Sequence, residues 1–148
     1  MPPLISFDID GTLEVGDPPG LISVEMVRQV KRLGYLIGSC SDRPISYQRQ
    51  LWQRLEIAAD FTVLKHRLAD LKAQLRAEAY YHIGDTDVDH FFAGEAGFRF
   101  FRADASIMRV SAVQDLVEQK QQRQRPAGEI DDLPEPRDIE RIFQEMAA

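Results

Sequence analysis

Two aspartates stand one residue apart at the end of an apolar stretch near the start of the chain. Leu4–Phe7 is mostly apolar, as a short buried strand would be, and Asp8, Asp10 and Gly11 follow it. Two carboxylates at the mouth of a buried strand are costly unless positive charge meets them. Mg²⁺ supplies such charge because it takes oxygen ligands from one or two carboxylates and a phosphate. Asp-x-Asp-Gly is also ordinary turn chemistry, so this stretch alone leaves a metal site and a solvated turn open.

Further polar residues stand directly after other apolar runs. The polar residues that follow predicted strands are Asp8, Asp10, Ser41, Lys65 and Asp85. A carboxylate in this position can accept a phosphoryl group, and a second one beside it can act as general acid and base. A hydroxyl and an ammonium group can bind the phosphoryl oxygens and stabilise the charge of the transition state. Asp85 would complete the metal site, with Asp89 one helical turn further on and on the same side.

Short apolar runs alternate with longer amphipathic segments. The predicted strands are Leu4–Phe7, Tyr35–Cys40, Phe61–Leu64, Tyr80–Ile83 and Phe98–Phe101. The predicted helices are Val24–Gly34, a segment opened by Pro44, His66–Glu78, and a segment from Val88 that Gly97 ends. This alternation predicts an α/β fold, a three-layer α/β/α sandwich around a five-stranded, mainly parallel sheet. Ligands of such sheets bind beyond the carboxyl ends of the strands, where the polar residues fall.

The composition is that of an ordinary globular protein of 148 residues, 28% of them charged and 44% hydrophobic. The net charge of −6 gives no signal for nucleic-acid binding by bulk electrostatics. The single cysteine, Cys40, rules out an internal disulfide and fits a reducing compartment. No apolar run approaches the ~20 residues that span a bilayer, and the amino end has no signal-peptide pattern. We therefore expect a cytoplasmic protein with no membrane partner.

The end of the chain differs from the rest in composition. We expect residues 1–117 to form the catalytic core and the polar residues 118–136 to form a linker-like segment. Residues 137–148 predict an amphipathic helix. Its apolar residues repeat at helical spacing at Ile139, Ile142, Phe143 and Met146. Because so short a helix is marginal alone, Arg137–Ala147 must dock on its own domain or on another chain, either a partner or a second copy.

Four short motifs occur in order within the predicted core. They are Asp8-x-Asp10-Gly11-Thr12, Ser41 at the end of its strand, Lys65, and Gly84-Asp85 followed by Asp89. Together these motifs resemble those of the haloacid dehalogenase superfamily of phosphohydrolases, whose Rossmann-like fold is the one expected here. Ser39 is a rival for the second motif, but it would point the other way in its strand, and Lys72 is a rival for the third, but it would sit in mid-helix.

The resemblance implies a role for each matching residue. Asp8 would be phosphorylated and bind Mg²⁺, and Asp10 would be the acid/base and bind the ion through its backbone carbonyl. The metal residues it implies are Asp8, Asp10, Asp85 and Asp89, the last usually acting one layer behind the ion. The catalytic residues it implies are Asp8, Asp10, Ser41 and Lys65. The substrate-binding residues are Gly11, Thr12, Ser41 and Arg43, although Arg43 fits a solvated or ion-paired role equally well.

The spacing of the motifs leaves no room for the cap domain that many members of the superfamily insert. Only 28 residues separate Thr12 from Ser41, and 23 separate Ser41 from Lys65. A capless member has an open site, and it typically takes large substrates or borrows a neighbouring subunit as a lid. The sequence thus predicts a capless Mg²⁺-dependent phosphatase that hydrolyses a phosphate monoester of unknown class through an aspartyl-phosphate on Asp8.

Two other functions stay open on the sequence. The first is a binding or regulatory protein of the same fold with little turnover, or an enzyme that a partner or oligomer completes. The intact acid/base argues against this function, since its loss would be the expected mark. The second is a receiver-type signalling domain, which also places Asp, Ser/Thr and Lys at strand ends. Its phosphorylated Asp follows a later, inner strand, whereas the pair Asp8 and Asp10 follows the first strand here.

Overall fold

The structure of the protein is a computed structural model that describes residues 1–104. The predictions for the end of the core up to residue 117, for the linker-like segment 118–136 and for the helix 137–148 lie outside the described residues.

Five strands form a single sheet in which every neighbouring pair is parallel. The strands are β1 (Leu4–Phe7), β2 (Leu36–Ser41), β3 (Phe61–Leu64), β4 (Tyr80–Gly84) and β5 (Arg99–Arg102). Their order across the sheet is β3-β2-β1-β4-β5. The predicted α/β fold with a five-stranded sheet is confirmed, and the bounds of the predicted strands differ from the observed ones by at most one residue.

Helices connect the strands and cover the sheet. They are α1 (Val24–Arg32), α2 (Ile45–Arg54), a 3₁₀ helix (Lys65–Asp70), α3 (Leu71–Gln74) and α4 (Asp87–Ala96). The side chain of Ser23 accepts a hydrogen bond at the start of α1, and Thr86 does the same for α4. Gly97 ends α4 in the left-handed conformation, with a φ of 73°. These caps explain where α1 begins and where α4 begins and ends.

The segment after β3 differs from the predicted α-helix over His66–Glu78. A 3₁₀ helix covers Lys65–Asp70, and only Leu71–Gln74 is α-helical. The prediction of a helix holds for His66–Gln74, but the helix ends four residues early and its type was not predicted, because an apolar residue three positions after another fits both helix types. Leu68 and Leu71, both buried, have the three-residue spacing that brings side chains into line in a 3₁₀ helix.

Apolar side chains pack on both faces of the sheet. On one face Ile5 and Phe7 of β1 belong to a cluster with residues of α1 and α2, including Met26 and Trp52. Leu4 points to the opposite face, where the second cluster contains residues of the 3₁₀ helix, α3 and α4. The members of that cluster from these helices are Leu68, Leu71, Ala93 and Ala96. The sheet is therefore the middle of three layers.

The strand order changes direction between β1 and β4. The chain runs outward from β1 to β3, and then crosses back to place β4 on the other side of β1. Such a switch point leaves a crevice at the carboxyl ends of the two strands, where ligands bind in open α/β sheets. Residues 1–104 contain no additional domain between these strands, as the motif spacing predicts. None of the helices in this range is long and apolar enough to cross a bilayer.

Candidate active site

Three carboxylates meet at the switch point and form what we call the acidic cluster: Asp8, Asp85 and Asp89. One carboxylate oxygen of each lies within 4.8 Å of the others. Asp8 follows β1, Asp85 follows β4, and Asp89 lies in the first turn of α4. Asp8 and Asp89 are buried. Carboxylate oxygens are the ligands of hard divalent cations, so the acidic cluster could hold a metal ion.

Among the described residues, Lys65 is the only lysine whose ammonium group contacts the acidic cluster. Its Nζ atom lies 3.2 Å from Oδ1 of Asp89 and 3.6 Å from Oδ2 of Asp8. The exposed carboxylate of Asp42 lies 3.7 Å from the same Nζ atom. The Lys65 side chain is only 8% exposed, so its charge acts in a low-dielectric setting. The cluster thus brings together three carboxylates and a single buried cation.

The surplus of negative charge changes the ionisation of the site. Burial, and then repulsion by Asp89, raise the pKa of Asp8 from 3.8 to about 8. Burial also opposes ionisation of Asp89, but the hydrogen bond to His82 and the electrostatic interactions with His82 and Lys65 outweigh it and lower the pKa of Asp89. For Lys65, burial opposes the charge, while Asp8 and Asp89 more than compensate and raise its pKa. A cation bound beside Asp8 would favour its ionised form.

The turn after β1 packs directly against Asp85. Gly11 has a φ of 75°, and a side chain there would overlap Oδ2 of Asp85. The hydroxyl of Thr12, which is fully buried, lies 3.4 Å from Oδ1 of the same carboxylate and can donate to it. Glycine at position 11 is therefore required for the close approach, and Thr12 helps to orient Asp85. Substrate contact by these two residues stays a prediction.

Asp10 lies outside the acidic cluster and is held by donors of its own. Its carboxylate accepts hydrogen bonds from Arg43 Nε at 2.8 Å, from Arg43 Nη2 at 3.3 Å and from the backbone N–H of Asp17 at 2.9 Å. Partial burial acts to raise the pKa of Asp10, but these bonds together lower it. The guanidinium of Arg43 also lies over the ring of Tyr47, 5.0 Å from its centroid. Arg43 is therefore in an ion pair with Asp10, and its contact with a substrate stays a prediction.

Ser41 and its rival Ser39 have different partners. Ser41 is buried at the carboxyl end of β2, and its hydroxyl accepts a hydrogen bond from the backbone N–H of Arg43 at 3.0 Å. The hydroxyl of Ser39 is engaged by Gln48 and Trp52 instead. Ser41 therefore lies at the end of the sheet where the acidic cluster is found, and Ser39 belongs to a separate network.

Lys65 is likewise distinguished from its rival Lys72. The Nζ atom of Lys72 donates to the carbonyl of Gly97 at 3.0 Å, at the end of α4. Lys65 contacts two carboxylates of the acidic cluster. Among the two lysines considered, only Lys65 has a position suited to stabilising charge at Asp8.

Two residues near the acidic cluster were not among the site residues predicted from the sequence. His82 in β4 is fully buried and its Nε2 atom lies 3.1 Å from Oδ1 of Asp89. Arg102 at the end of β5 donates to the backbone carbonyl of Asp85 at 2.9 Å and so supports the loop after β4. A histidine alone in a strand has no metal-ligand spacing, and Ser6, which contacts His82, lies 76 residues away in the chain, as Asp85 lies 17 residues from Arg102. The only sequence signal was their position near strand ends.

Comparisons with known proteins do not assign the chain to a family: no protein-family model and no curated protein matches it. The described residues establish a Rossmann-like parallel α/β domain with a buried acidic cluster that could hold a metal ion.

Proposed function

We propose that the chain is a Mg²⁺-dependent phosphatase of the capless haloacid dehalogenase type, which hydrolyses a phosphate monoester through an aspartyl-phosphate on Asp8. The observation that carries the proposal is the acidic cluster at the switch point of the sheet, with Lys65 between Asp8 and Asp89. An acidic cluster that holds a metal ion would by itself fit many activities. A carboxylate and an ammonium group beside it provide a nucleophile and a binding site for phosphoryl oxygens.

The carboxylates of Asp8 and Asp85 are the best-placed ligands for Mg²⁺, together with the backbone carbonyl of Asp10 that the resemblance implies. Asp89 would act one layer behind the ion, because its oxygens already accept bonds from the protein. When bound, Mg²⁺ supplies positive charge that offsets the repulsion between Asp8 and an incoming phosphate. The surplus negative charge of the acidic cluster and the hard oxygen donors fit this ion.

In the first step, a carboxylate oxygen of Asp8 attacks the phosphorus of the substrate. The bond from phosphorus to the leaving oxygen breaks, and the protonated carboxyl of Asp10 gives its proton to that oxygen, which releases an alcohol. Lys65 and the hydroxyl of Ser41 bind the phosphoryl oxygens and stabilise their charge. The enzyme is left with a phosphoryl group on Asp8 and an ionised Asp10.

In the second step, water attacks the same phosphorus atom. The carboxylate of Asp10 takes a proton from this water, and the bond between phosphorus and the Asp8 oxygen breaks. Inorganic phosphate leaves, and Asp8 is again a carboxylate while Asp10 is again a carboxylic acid. Over both steps one water molecule is consumed and one ester bond is hydrolysed.

Asp10 has to leave Arg43 and take up a proton from solvent before it can act as an acid, since the ion pair holds its carboxylate ionised. The Arg43 side chain is 38% exposed, so an anionic substrate can reach it from solvent. We propose that the substrate phosphate takes over Arg43 as it binds, which frees Asp10 to turn towards the leaving oxygen. With no cap in residues 1–104, the site is open, which suits a large phosphorylated substrate or a lid from another subunit.

The test is release of p-nitrophenol from p-nitrophenyl phosphate by the full chain, with Mg²⁺ and with EDTA. We expect turnover that needs Mg²⁺ and that falls at least about a thousandfold in Asp8→Asn. Asp70→Asn is the matched control, since Asp70 is a half-exposed aspartate paired with Arg67 in the 3₁₀ helix. Turnover that persists in Asp8→Asn, or that EDTA leaves unchanged, would contradict the proposal.

A further inference from the structure

Behind the acidic cluster lies a chain of three fully buried polar side chains: Ser6, His82 and Asp89. Ser6 and His82 face each other as register partners on β1 and β4, and the Ser6 hydroxyl contacts Nδ1 of His82. The other ring nitrogen, Nε2, lies 3.1 Å from Oδ1 of Asp89. Apolar residues fill the same face of the sheet elsewhere, so these polar groups are buried at a cost that their hydrogen bonds must offset.

The direction of these hydrogen bonds follows from the acceptor at one end. An ionised Asp89 can only accept, so Nε2 of His82 carries a hydrogen and donates it. In the neutral ring Nδ1 is then an acceptor, and the hydroxyl of Ser6 donates to it. Ser6 thereby fixes the orientation of the ring, and the ring fixes one oxygen of Asp89.

Asp89 is bound on both oxygens by the protein itself. Oδ1 faces His82 Nε2 and also Lys65 Nζ, at 3.1 and 3.2 Å. Oδ2 accepts from the hydroxyl of Thr86 at 2.8 Å and from its backbone N–H at 3.3 Å. A carboxylate has about four acceptor sites, so these four donors engage Asp89 fully. Asp89 is therefore placed to hold Lys65, rather than to take a metal ion as a direct ligand.

We propose that His82 is a positioning residue of the site: through Asp89 it holds the ammonium group of Lys65 beside Asp8, where the phosphoryl oxygens bind. This inference rests on the proposed function, because it assigns Lys65 to phosphate. It adds that removing the ring of His82 weakens phosphate binding and turnover while leaving Mg²⁺ binding nearly unchanged. Removing a purely structural histidine would change neither phosphate binding nor turnover.

The test compares His82→Leu, His82→Gln and Ser6→Ala with the wild-type chain. Binding of Mg²⁺ alone, and of inorganic phosphate at saturating Mg²⁺, is measured by calorimetry, and kcat and KM are measured with p-nitrophenyl phosphate. His82→Leu should bind phosphate about tenfold more weakly and lose about tenfold or more in kcat, with the Kd of Mg²⁺ within about threefold. His82→Gln keeps a donor towards Asp89 and should recover most of the loss.

Tyr80→Phe is the matched structural control. Tyr80 lies in the same strand and on the same face as His82. Its hydroxyl bonds to the backbone of Leu75 and Ala77, which precede β4 and lie at the end of the strand away from the acidic cluster. It should lose stability but keep phosphate binding and kcat. If His82→Leu does not fold, Ser6→Ala carries the same prediction with a loss of about threefold, since only the ring orientation is relaxed.

Equal losses of Mg²⁺ and phosphate affinity in His82→Leu would overturn the inference, because they would place His82 behind a metal ligand. Unchanged phosphate binding in both His82→Leu and Ser6→Ala would overturn it as well. The proposed function fails separately, if phosphate binding depends on His82 but p-nitrophenol release does not depend on Asp8. A wild-type chain that binds neither Mg²⁺ nor phosphate contradicts both.

Discussion

The acidic cluster can be compared with a second group of buried polar side chains on the sheet, and the two differ in whether the protein completes them. The first is the acidic cluster with Lys65. The second, which we call the neutral network, consists of Ser39, Gln48 and Trp52. Gln48 accepts from Ser39 at 2.6 Å and donates to the carbonyls of Arg43 and Val63, and Trp52 donates to Ser39 at 3.0 Å.

The neutral network has no net charge, and each of these donors has an acceptor within the protein. It ties α2 to β2 and β3, which is a structural task. The acidic cluster has three carboxylates and one contacting ammonium among the described residues, and the pKa of Asp8 is raised as a result. A ligand could balance the charge that the protein leaves unbalanced in the acidic cluster, and groups with shifted pKa values are common at functional sites.

Loss of the buried cation should have the largest effect. Lys65→Met leaves Asp8 and Asp89 without their shared partner, so we expect a loss of about 3–5 kcal/mol in the free energy of unfolding. Turnover should fall about 10²–10³-fold. Urea denaturation and p-nitrophenyl phosphate kinetics measure the two effects. Lys72→Met is the control, with a loss of about 1 kcal/mol and normal turnover, because Lys72 makes an exposed bond to Gly97 and lies over the rings of Tyr80 and Phe98, away from the acidic cluster. Similar results for both lysines would contradict the comparison.

The pH dependence of the metal-free protein tests the charge surplus at Asp8. Its pKa is raised to about 8, above the ordinary 3.8, so the fold is stabilised while Asp8 is protonated and loses this contribution as the pH rises from about 4 to 8. We expect the free energy of unfolding in EDTA to fall by about 2–4 kcal/mol over that range.

Asp8→Asn should remove this fall, and Mg²⁺ should offset it in the wild-type chain alone. The lowered pKa of Asp89 acts in the opposite sense, but only below its ordinary 3.8, so the range from about pH 4 to 8 separates the two groups. If the free energy of unfolding depended on pH in the same way for wild type and Asp8→Asn, Asp8 would be ionised in the metal-free fold.

A change in the neutral network should have the smallest effect, and on stability alone. Ser39→Ala leaves Gln48 Oε1 and Trp52 Nε1 without their partner, which should cost about 1–3 kcal/mol. Mg²⁺ binding and kcat should equal those of the wild-type chain, as measured by calorimetry and by p-nitrophenyl phosphate turnover. A drop in kcat beyond the fraction of unfolded chain would mean that the two groups are coupled.

The sequence predicted most of the fold because its signals are local. Alternation of short apolar runs with helical segments was enough to locate the five strands. The residues after strands were correctly expected at one edge, since parallel strands end on the same side of a sheet. Asp8, Lys65 and Asp85 could therefore be grouped without a structure.

What the sequence did not predict depends on partners far apart in the chain. His82 lies within a predicted strand, and its bonds to Ser6 and Asp89 arise only when β1, β4 and α4 meet. The ion pair between Asp10 and Arg43 spans two loops. Helical periodicity alone did not predict which side of α4 faces the sheet, and Phe91 of this helix is 60% exposed.

The central claim is that the acidic cluster is completed by a cation. The most direct test is a calorimetric titration of Mg²⁺ into the metal-free full chain, beside Asp85→Asn and the surface control Asp70→Asn. The account predicts saturable binding of a single ion by the wild type and by Asp70→Asn, at least about tenfold weaker in Asp85→Asn. No saturable binding by the wild type, or equal affinity in all three proteins, would contradict it.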